Sequence, residues 1–296
     1  MPLIVMLFFQ SAISQDSLVV LRYPSEKEIN LQVYSNIVSS DQGLEYQYEL
    51  NNLHSSSQKV WRFSLALIES VEESKSPEGW EGRITPIPFL RISWGSTDIA
   101  YDLSQGKRLK GFSFNSKGVP SINDFYATGW IEPLTFEIEP DSIIGGVFPE
   151  NSFHGKTIGP RTILPTVSYI DFVDSIISYT NQSVELNWLG KEQDEDCDND
   201  ERIENGIVRN IERRLRKAKH ELTRGDSVQA REVLKNLVQK VERIWKRSQE
   251  SEKREKRNNW DRPDKIIMTS EAYALLKYNV GYLVDHLPGK RDHRRK

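Results

Sequence analysis

The spacing of apolar residues changes near residue 165, and this change constrains the fold more than any other feature of the sequence. Before that point, short segments alternate between apolar and polar residues, as Tyr46 and Tyr48 do with their neighbours, which is typical of half-buried β-strands. After it, apolar residues recur every three or four positions, as in amphipathic helices. We therefore predict a multidomain α and β chain, with an N-terminal antiparallel β-sandwich followed by a C-terminal helical hairpin or three-helix bundle.

The predicted β-sandwich module covers residues 15–165, where most of the chain's Pro and Gly residues lie. Its predicted strands are residues 18–23, 28–33, 45–50, 60–68, 90–94, 109–114, 125–130 and 135–138. In the strand at 109–114, alternation places Leu109 and Gly111 on one face and Phe112 and Phe114 on the other. Gly159–Pro160 interrupts the regular pattern, so we place the end of the β module soon after it.

Residues 166–202 are predicted to bridge the two modules, with a short amphipathic helix around Phe172 and Ile176 and then an acidic linker. The helical module covers residues 203–287. Its first two helices are joined at Gly225, and the charged stretch 246–265 is expected to break the helical pattern before a third helix opens near Ser270. This third helix is expected to cover the apolar face of the first two. The basic tail, residues 288–296, is predicted to be disordered.

The two halves of the chain carry opposite charge behind a net charge of −3. Residues 1–201 hold 14 Lys and Arg against 29 Asp and Glu, whereas residues 202–296 hold 26 against 14. Such a split is typical of separate modules, and the basic half favours an anionic partner.

The N-terminal segment has the pattern of an export signal. An apolar block at residues 3–9 is followed by the small residues Ala12 and Ser14, which predicts a signal peptide over residues 1–14. An N-terminal β-strand is the alternative. We expect a secreted or periplasmic protein without a transmembrane segment, since no apolar run is long enough to cross a bilayer. Because Cys197 is the single cysteine, no disulfide can form within the chain, which favours a bacterial origin.

The helical segment contains Leu215, Ala218 and Leu222, then the turn at Gly225, and a later stretch from Thr269 to Leu276. These residues resemble the FIMAH-type helical module found near the C-terminus of bacterial secreted proteins. The stretch from residue 92 to residue 114 is similar to β-rich modules of uncharacterised exported proteins. The resemblance implies export and a non-enzymatic adhesive or scaffolding role, with no catalytic residues to transfer.

Residue patterns that would support chemistry are few. The sequence has no G-x-S-x-G, Walker A or G-x-G-x-x-G motif, and its five histidines show no metal-ligand spacing. A weak calcium candidate is the acidic run with Asp194, Asp196, Asp198 and Asp200, but an EF-hand loop from Asp196 needs glycine at its sixth position, where Glu201 stands. A solvated linker is the preferred interpretation, and no cofactor is expected.

Tryptophans are the best candidate ligand contacts, because exposed rings in β-sandwich modules can stack on sugars. We single out Trp80, Trp94 and Trp130, and expect Trp80 to be the most exposed because it follows the turn-like segment 77–79. The alternative for each ring is core filling. The preferred function is a non-catalytic interaction or scaffolding protein whose partner is a glycan or an extracellular protein.

Two other functions remain open from the sequence. One is a secreted carbohydrate-active hydrolase whose catalytic carboxylates are far apart in the chain. The other is a polyanion-binding module that uses the basic residues of the helices. Nucleic acid is an unlikely partner under this interpretation, because no aromatic residues interleave the basic runs.

Overall fold

The computed structural model describes residues 27–69, 71–130, 148–191, 205–258 and 266–288. Within them the chain has two larger antiparallel sheets in its N-terminal part and four α-helices in its C-terminal part. The segments predicted as signal peptide, strands 18–23 and 135–138, acidic linker 192–202 and tail beyond residue 288 lie outside the described residues. No helix in the described ranges is long and apolar enough to cross a membrane.

Sheet A has four strands in the order β1-β2-β7-β4. They are β1 Leu31–Ser40, β2 Gly43–Asn52, β7 Lys107–Ser116 and β4 Glu72–Lys75. Sheet B has five strands in the order β5-β6-β3-β8-β9. They are β5 Trp80–Thr85, β6 Arg91–Ser96, β3 Val60–Ala66, β8 Val119–Gly129 and β9 Phe153–Arg161.

Buried aromatic rings from both sheets form one hydrophobic cluster. Trp94 of sheet B stacks on Phe63 of the same sheet, with ring centroids 5.5 Å apart, and on Phe114 of sheet A at 6.3 Å. Tyr48 of sheet A lies 6.0 Å from Phe63, and its hydroxyl donates to the carbonyl of Ile158 at 2.8 Å. The alternation seen in the sequence of β2 is confirmed, because Tyr46 and Tyr48 point into this core.

Three strands of sheets A and B were not predicted from the sequence. β4 and β5 lack a clear alternation, and β9 runs through Gly159–Pro160, which we had interpreted as a break. Pro160 is tolerated because β9 is an edge strand of sheet B, so it needs backbone hydrogen bonds on one side only. Its partner is Pro120, which lies beyond the part of β8 that pairs with β3.

The helices are α1 Tyr169–Glu185, α2 Asn205–Thr223, α3 Ser227–Asn258 and α4 Ser270–His286. Gly225 adopts a left-handed φ of 79° between α2 and α3, as its position in the sequence predicts. The expected break at residue 246 is wrong, because α3 continues to Asn258. Residues 246–258 are mostly Lys, Arg, Glu and Gln, which have high helix propensity.

The packing of the helices also differs from the expected arrangement. α1, which we interpreted as a bridge, packs against α2 and α4, while α3 packs against α2 and α4. Two short strands, β10 Leu189–Lys191 and β11 Ile266–Met268, pair beside them. α4 was expected to cover the shared apolar face of α2 and α3. Instead α1 covers part of α2, and α4 packs on α3 and α1.

α4 also contacts both sheets, so the two predicted modules touch. Ala274 and Leu275 belong to the aromatic core, whereas Leu276, on the next position, belongs to the second cluster among the helices. At the edge of sheet A, Glu271 accepts a hydrogen bond from the Ser35 amide at 2.6 Å. Tyr278 donates to the Ile37 carbonyl at 2.8 Å, so side chains of α4 satisfy backbone groups of the β1 edge.

Candidate ligand-binding groove

The structure places the predicted tryptophans in or beside the core. Trp80 is 5% exposed and its ring meets Phe112 edge-on at 5.2 Å, so the expectation of an exposed Trp80 is wrong. The turn at residues 77–79 is short, and β5 begins at Trp80 itself, which directs the ring inward. Trp94 is fully buried. Neither ring is open to stack on a sugar.

Trp130 is half-buried at the end of β8, where its amide donates to the Lys59 carbonyl at 2.8 Å. The calcium candidates Asp194, Asp196, Asp198 and Asp200 lie outside the described residues. Within the ranges described, no three His, Cys, Asp or Glu side chains come together as a metal site.

A groove of about 480 Å³ crosses the outer face of sheet A, on the side opposite the aromatic core. This volume lies in the range of roughly 300–1,000 Å³ typical of small-ligand sites. Its walls come from β1, β2, β4 and β7 and from the start of α4. The lining residues are Tyr34, Ser35, Asn36, Gln47, Tyr48, Glu49, Lys75, Lys110, Gly111, Phe112, Ser113 and Ser270.

The polar floor of this groove follows from the alternation in β2. Tyr46, Tyr48 and Leu50 point into the core, so the residues between them point outward. Glu45 and Glu49 are therefore half-buried acids on a central strand, and each needs polar partners on the same face.

Glu45 lies at one end of a row of hydrogen bonds that crosses the sheet. It accepts from Lys75 at 2.9 Å, from Ser113 at 3.1 Å and from Gln47 at 3.0 Å. The Oε1 atom of Gln47 in turn accepts a hydrogen bond from the side-chain amide of Asn36 at 3.1 Å. The hydrogen bond from Lys75 is the main cause that lowers the pKa of Glu45, and burial opposes it. Glu45 is therefore a carboxylate near neutral pH.

Glu49 forms the second charged contact of the groove. Lys110 Nζ lies 3.1 Å from its Oε2 atom, and Arg108 Nη1 lies 3.6 Å from its Oε1 atom. The Arg108 guanidinium also lies 5.6 Å from the ring centre of Tyr34. Tyr34 is 40% exposed, which makes it the ring in this groove that a ligand can reach.

A β-bulge at Gly111 shapes the groove between β2 and β7. Glu49 pairs with Lys110 and Tyr48 pairs with Phe112, so Gly111 is the extra residue. Its φ of 109° favours glycine, and an added Cβ would contact Pro77 at 3.5 Å. The bulge also reverses the alternation that we predicted for 109–114, because Leu109 lies on the same side as Phe112 and Phe114.

This arrangement suits hydrogen bonding to a polar, neutral ligand. Amide, carboxylate, ammonium and hydroxyl groups offer both donors and acceptors, and the charges of both acids are already balanced by neighbouring bases. The polar face of β2 was visible in the sequence as Glu45, Gln47 and Glu49. Tyr34 was missed because the predicted strand ended at residue 33, and nothing in the local sequence marks the bulge.

Comparison with known proteins places the chain in no established family. No family model matches it, and no curated protein matches it. Among solved structures it is similar to an uncharacterized protein from Nocardia farcinica described as having an immunoglobulin-like fold. The sequences are 11% identical, the match covers 41% of this chain and 94% of that one, and the TM-score is 0.25.

Proposed function

We propose that this chain is a non-catalytic binding protein that recognises a glycan in the groove on sheet A. The observation that carries the proposal is the exposed Tyr34 ring beside a row of polar side chains with paired charges. A sugar presents closely spaced hydroxyl groups, each of which donates and accepts hydrogen bonds. Asn36, Gln47 and Lys110 can meet such groups while Tyr34 packs against an apolar face of the ring.

Glu49, which lines the groove, and Glu45, which lies beside it on the same face of sheet A, favour binding over hydrolysis. Glycoside cleavage needs a carboxyl group with a raised pKa, about 5–10 Å from a second carboxylate. The pKa of Glu45 is lowered instead, mainly by the hydrogen bond from Lys75. Glu45 and Glu49 are four residues apart on one extended strand, which separates their backbones by about 14 Å. Both acids also contact bases, which suits a fixed acceptor better than a proton donor.

We propose that sheets A and B form a β-sandwich and that the helices act as a docking or scaffolding unit, as the FIMAH-type resemblance implies. Export is supported by the signal-like segment at residues 1–14. An extracellular glycan is the ligand that fits both a polar groove and an exported chain.

The test is a glycan-array screen of the full chain. The full chain is needed because α4 contacts sheet A and Ser270 lines the groove. We would compare the wild type with Tyr34→Ala and with a matched control, Tyr169→Ala. Tyr169 is also 40% exposed, but it lies on α1 and donates to the His286 carbonyl.

We expect binding to one or more glycans that the Tyr34→Ala variant loses at least tenfold and that Tyr169→Ala keeps. A blank array with folded wild-type protein would contradict the glycan proposal and favour a protein partner. Equal binding by both variants would place the glycan outside the groove.

A further inference from the structure

The α2–α3 hairpin carries a cluster of cations, two of which share one neutral partner. Asn210 Oδ1 accepts a hydrogen bond from Lys240 Nζ at 2.6 Å and another from Arg214 Nε at 3.2 Å. Arg213 and Arg243 are exposed on the same two helices, next to Arg214 and one turn beyond Lys240. We call Arg213, Arg214, Lys240 and Arg243 the cation cluster.

The cation cluster differs in its partners from three other bases of the helices, which form ion pairs. Arg216 lies 3.3 Å from Glu212, Lys219 lies 2.6 Å from Asp174 and Lys235 lies 3.4 Å from Glu232. Among the described residues, no carboxylate lies within ion-pair distance of a cluster side chain. The amide oxygen of Asn210 carries no net charge to balance the two cations that it holds together.

The charges of the cluster repel one another. The pKa of Lys240 is lowered, first by burial and then by the positive charges of Arg214, Arg213 and Arg243. The apolar packing between the helices holds the cluster together despite this repulsion. Ile211 and Leu215 on α2 and Val241 and Ile244 on α3 are buried in the shared core, so the cations above them cannot move far apart.

An anion placed among these side chains would remove the repulsion. The donor set favours a tetrahedral oxyanion over a carboxylate, because guanidinium and ammonium groups from two helices can approach such an anion from several sides. Free sulfate and a free or monoesterified phosphate also carry more charge than a single carboxylate, and a sulfate ester offers three oxygens where a carboxylate offers two.

We propose that the cation cluster is a binding site for a sulfate or phosphate group, present either as the free ion or as an ester on a larger ligand. The site lies on the helices and is independent of the groove on sheet A. The chain therefore has two ligand surfaces of different chemistry, one for a polar neutral ligand and one for an oxyanion.

The test uses the full chain, with sodium sulfate, sodium phosphate and heparin as probes. Thermal unfolding in the sulfate or phosphate salt is compared with unfolding in sodium chloride at equal ionic strength, and heparin binding is measured by calorimetry. The test variant is Arg214→Met/Lys240→Met, which keeps the aliphatic stems. The control is Arg216→Met/Lys219→Met, which removes the same charge from bases that are already paired.

We expect sulfate or phosphate to raise the unfolding temperature of the wild type and the control, and heparin to bind both with an affinity that falls steeply with salt. The test variant should lose the ion effect and bind heparin at least tenfold more weakly. Without anion it should be no less stable than the wild type, because repulsion is relieved. If the free ions stabilise the wild type and heparin does not bind, the ligand of the cluster is a small anion. If heparin binds more tightly than the free ions, the ligand is a sulfate or phosphate ester on a larger molecule.

Wild-type and test-variant proteins that respond equally to all three probes would overturn the proposal. A wild type that binds none of them would also overturn it. In that case a further variant shows whether the chain's own acidic segment competes with the probes for the cluster. It replaces four acids by Asn: Asp194, Asp196, Asp198 and Asp200. Binding gained only in this chain would assign the cluster to that segment instead of an external ligand. Neither result bears on glycan binding in the groove.

Discussion

In and beside the groove of sheet A each acid contacts a lysine, whereas on the α2–α3 hairpin Arg214 and Lys240 share one amide oxygen, with the exposed Arg213 and Arg243 on the same helices. Both surfaces are rich in charged residues, and the halves of the sequence have opposite net charge. Net charge alone does not show what each surface can bind. Local pairing does, because paired charges leave a hydrogen-bonding surface and unpaired cations attract an anion.

The interiors of the two regions differ as well. The core between the sheets is built on aromatic rings such as Phe63, Trp94 and Phe114, while the core among the helices is largely aliphatic. α4 contributes to both, through Leu275 on one side and Leu276 on the other. This arrangement leads us to expect that the two regions unfold together.

The largest effect is expected for the neighbouring leucines of α4. Leu275→Ala and Leu276→Ala should each lower the free energy of unfolding by about 2–5 kcal/mol, because both side chains are buried. Denaturant unfolding should be followed by tryptophan fluorescence and by far-UV circular dichroism. If α4 joins the regions, both probes report one shared midpoint in each variant. Separate midpoints would show two independent units.

A smaller effect is expected at the contact between α4 and β1. Glu271 is buried and its Oε1 atom accepts from both the amide and the hydroxyl of Ser35, so Glu271→Gln keeps one acceptor oxygen but removes the charge that strengthens both hydrogen bonds. We expect a loss of about 1–3 kcal/mol in unfolding free energy. Glu232→Gln, on a surface pair of α3, is the control and should change stability by less than about 0.5 kcal/mol. An equal effect of both changes would contradict this role.

The smallest effect concerns the pH dependence that Glu45 contributes. Its pKa in the folded protein is lowered from 4.5, mainly by the hydrogen bond from Lys75, so the folded state favours the carboxylate. The contribution is present above pH 4.5 and is lost as the pH falls through the lower folded pKa. Glu45→Gln should therefore be less stable than the wild type by about 1 kcal/mol or less near neutral pH.

This difference should shrink as the pH falls below 4.5, measured by denaturant unfolding at several pH values. Glu72→Gln, on an exposed position of β4, is the control for removing a negative charge from sheet A. A difference for Glu45→Gln that stays constant into strong acid would mean that the carboxylate charge is not what stabilises the sheet.

Part of this structure could be predicted from the sequence because it depends on local patterns. The alternation in β2, the helical spacing of α1 and the glycine turn at Gly225 all follow from neighbouring residues. The polar face of the groove was visible for the same reason.

Other features depend on contacts between distant residues and left no local signal. Trp80 is buried because β5 pairs with β6, and Pro160 fits a strand because β9 lies at an edge of sheet B. The Gly111 bulge depends on the register of β2 with β7. The cation cluster needs the antiparallel pairing of α2 and α3, which brings Asn210 to Lys240 across 30 positions of sequence.

The most direct test of the account is calorimetric titration of the full chain with the neutral glycan that the array scores highest, at about 50 and about 500 mM salt. The account predicts an affinity that changes little with salt, is lost in Tyr34→Ala and is kept in Arg214→Met/Lys240→Met. An affinity that falls steeply with salt, or that needs Arg214 and Lys240, would contradict the assignment of the glycan to the groove.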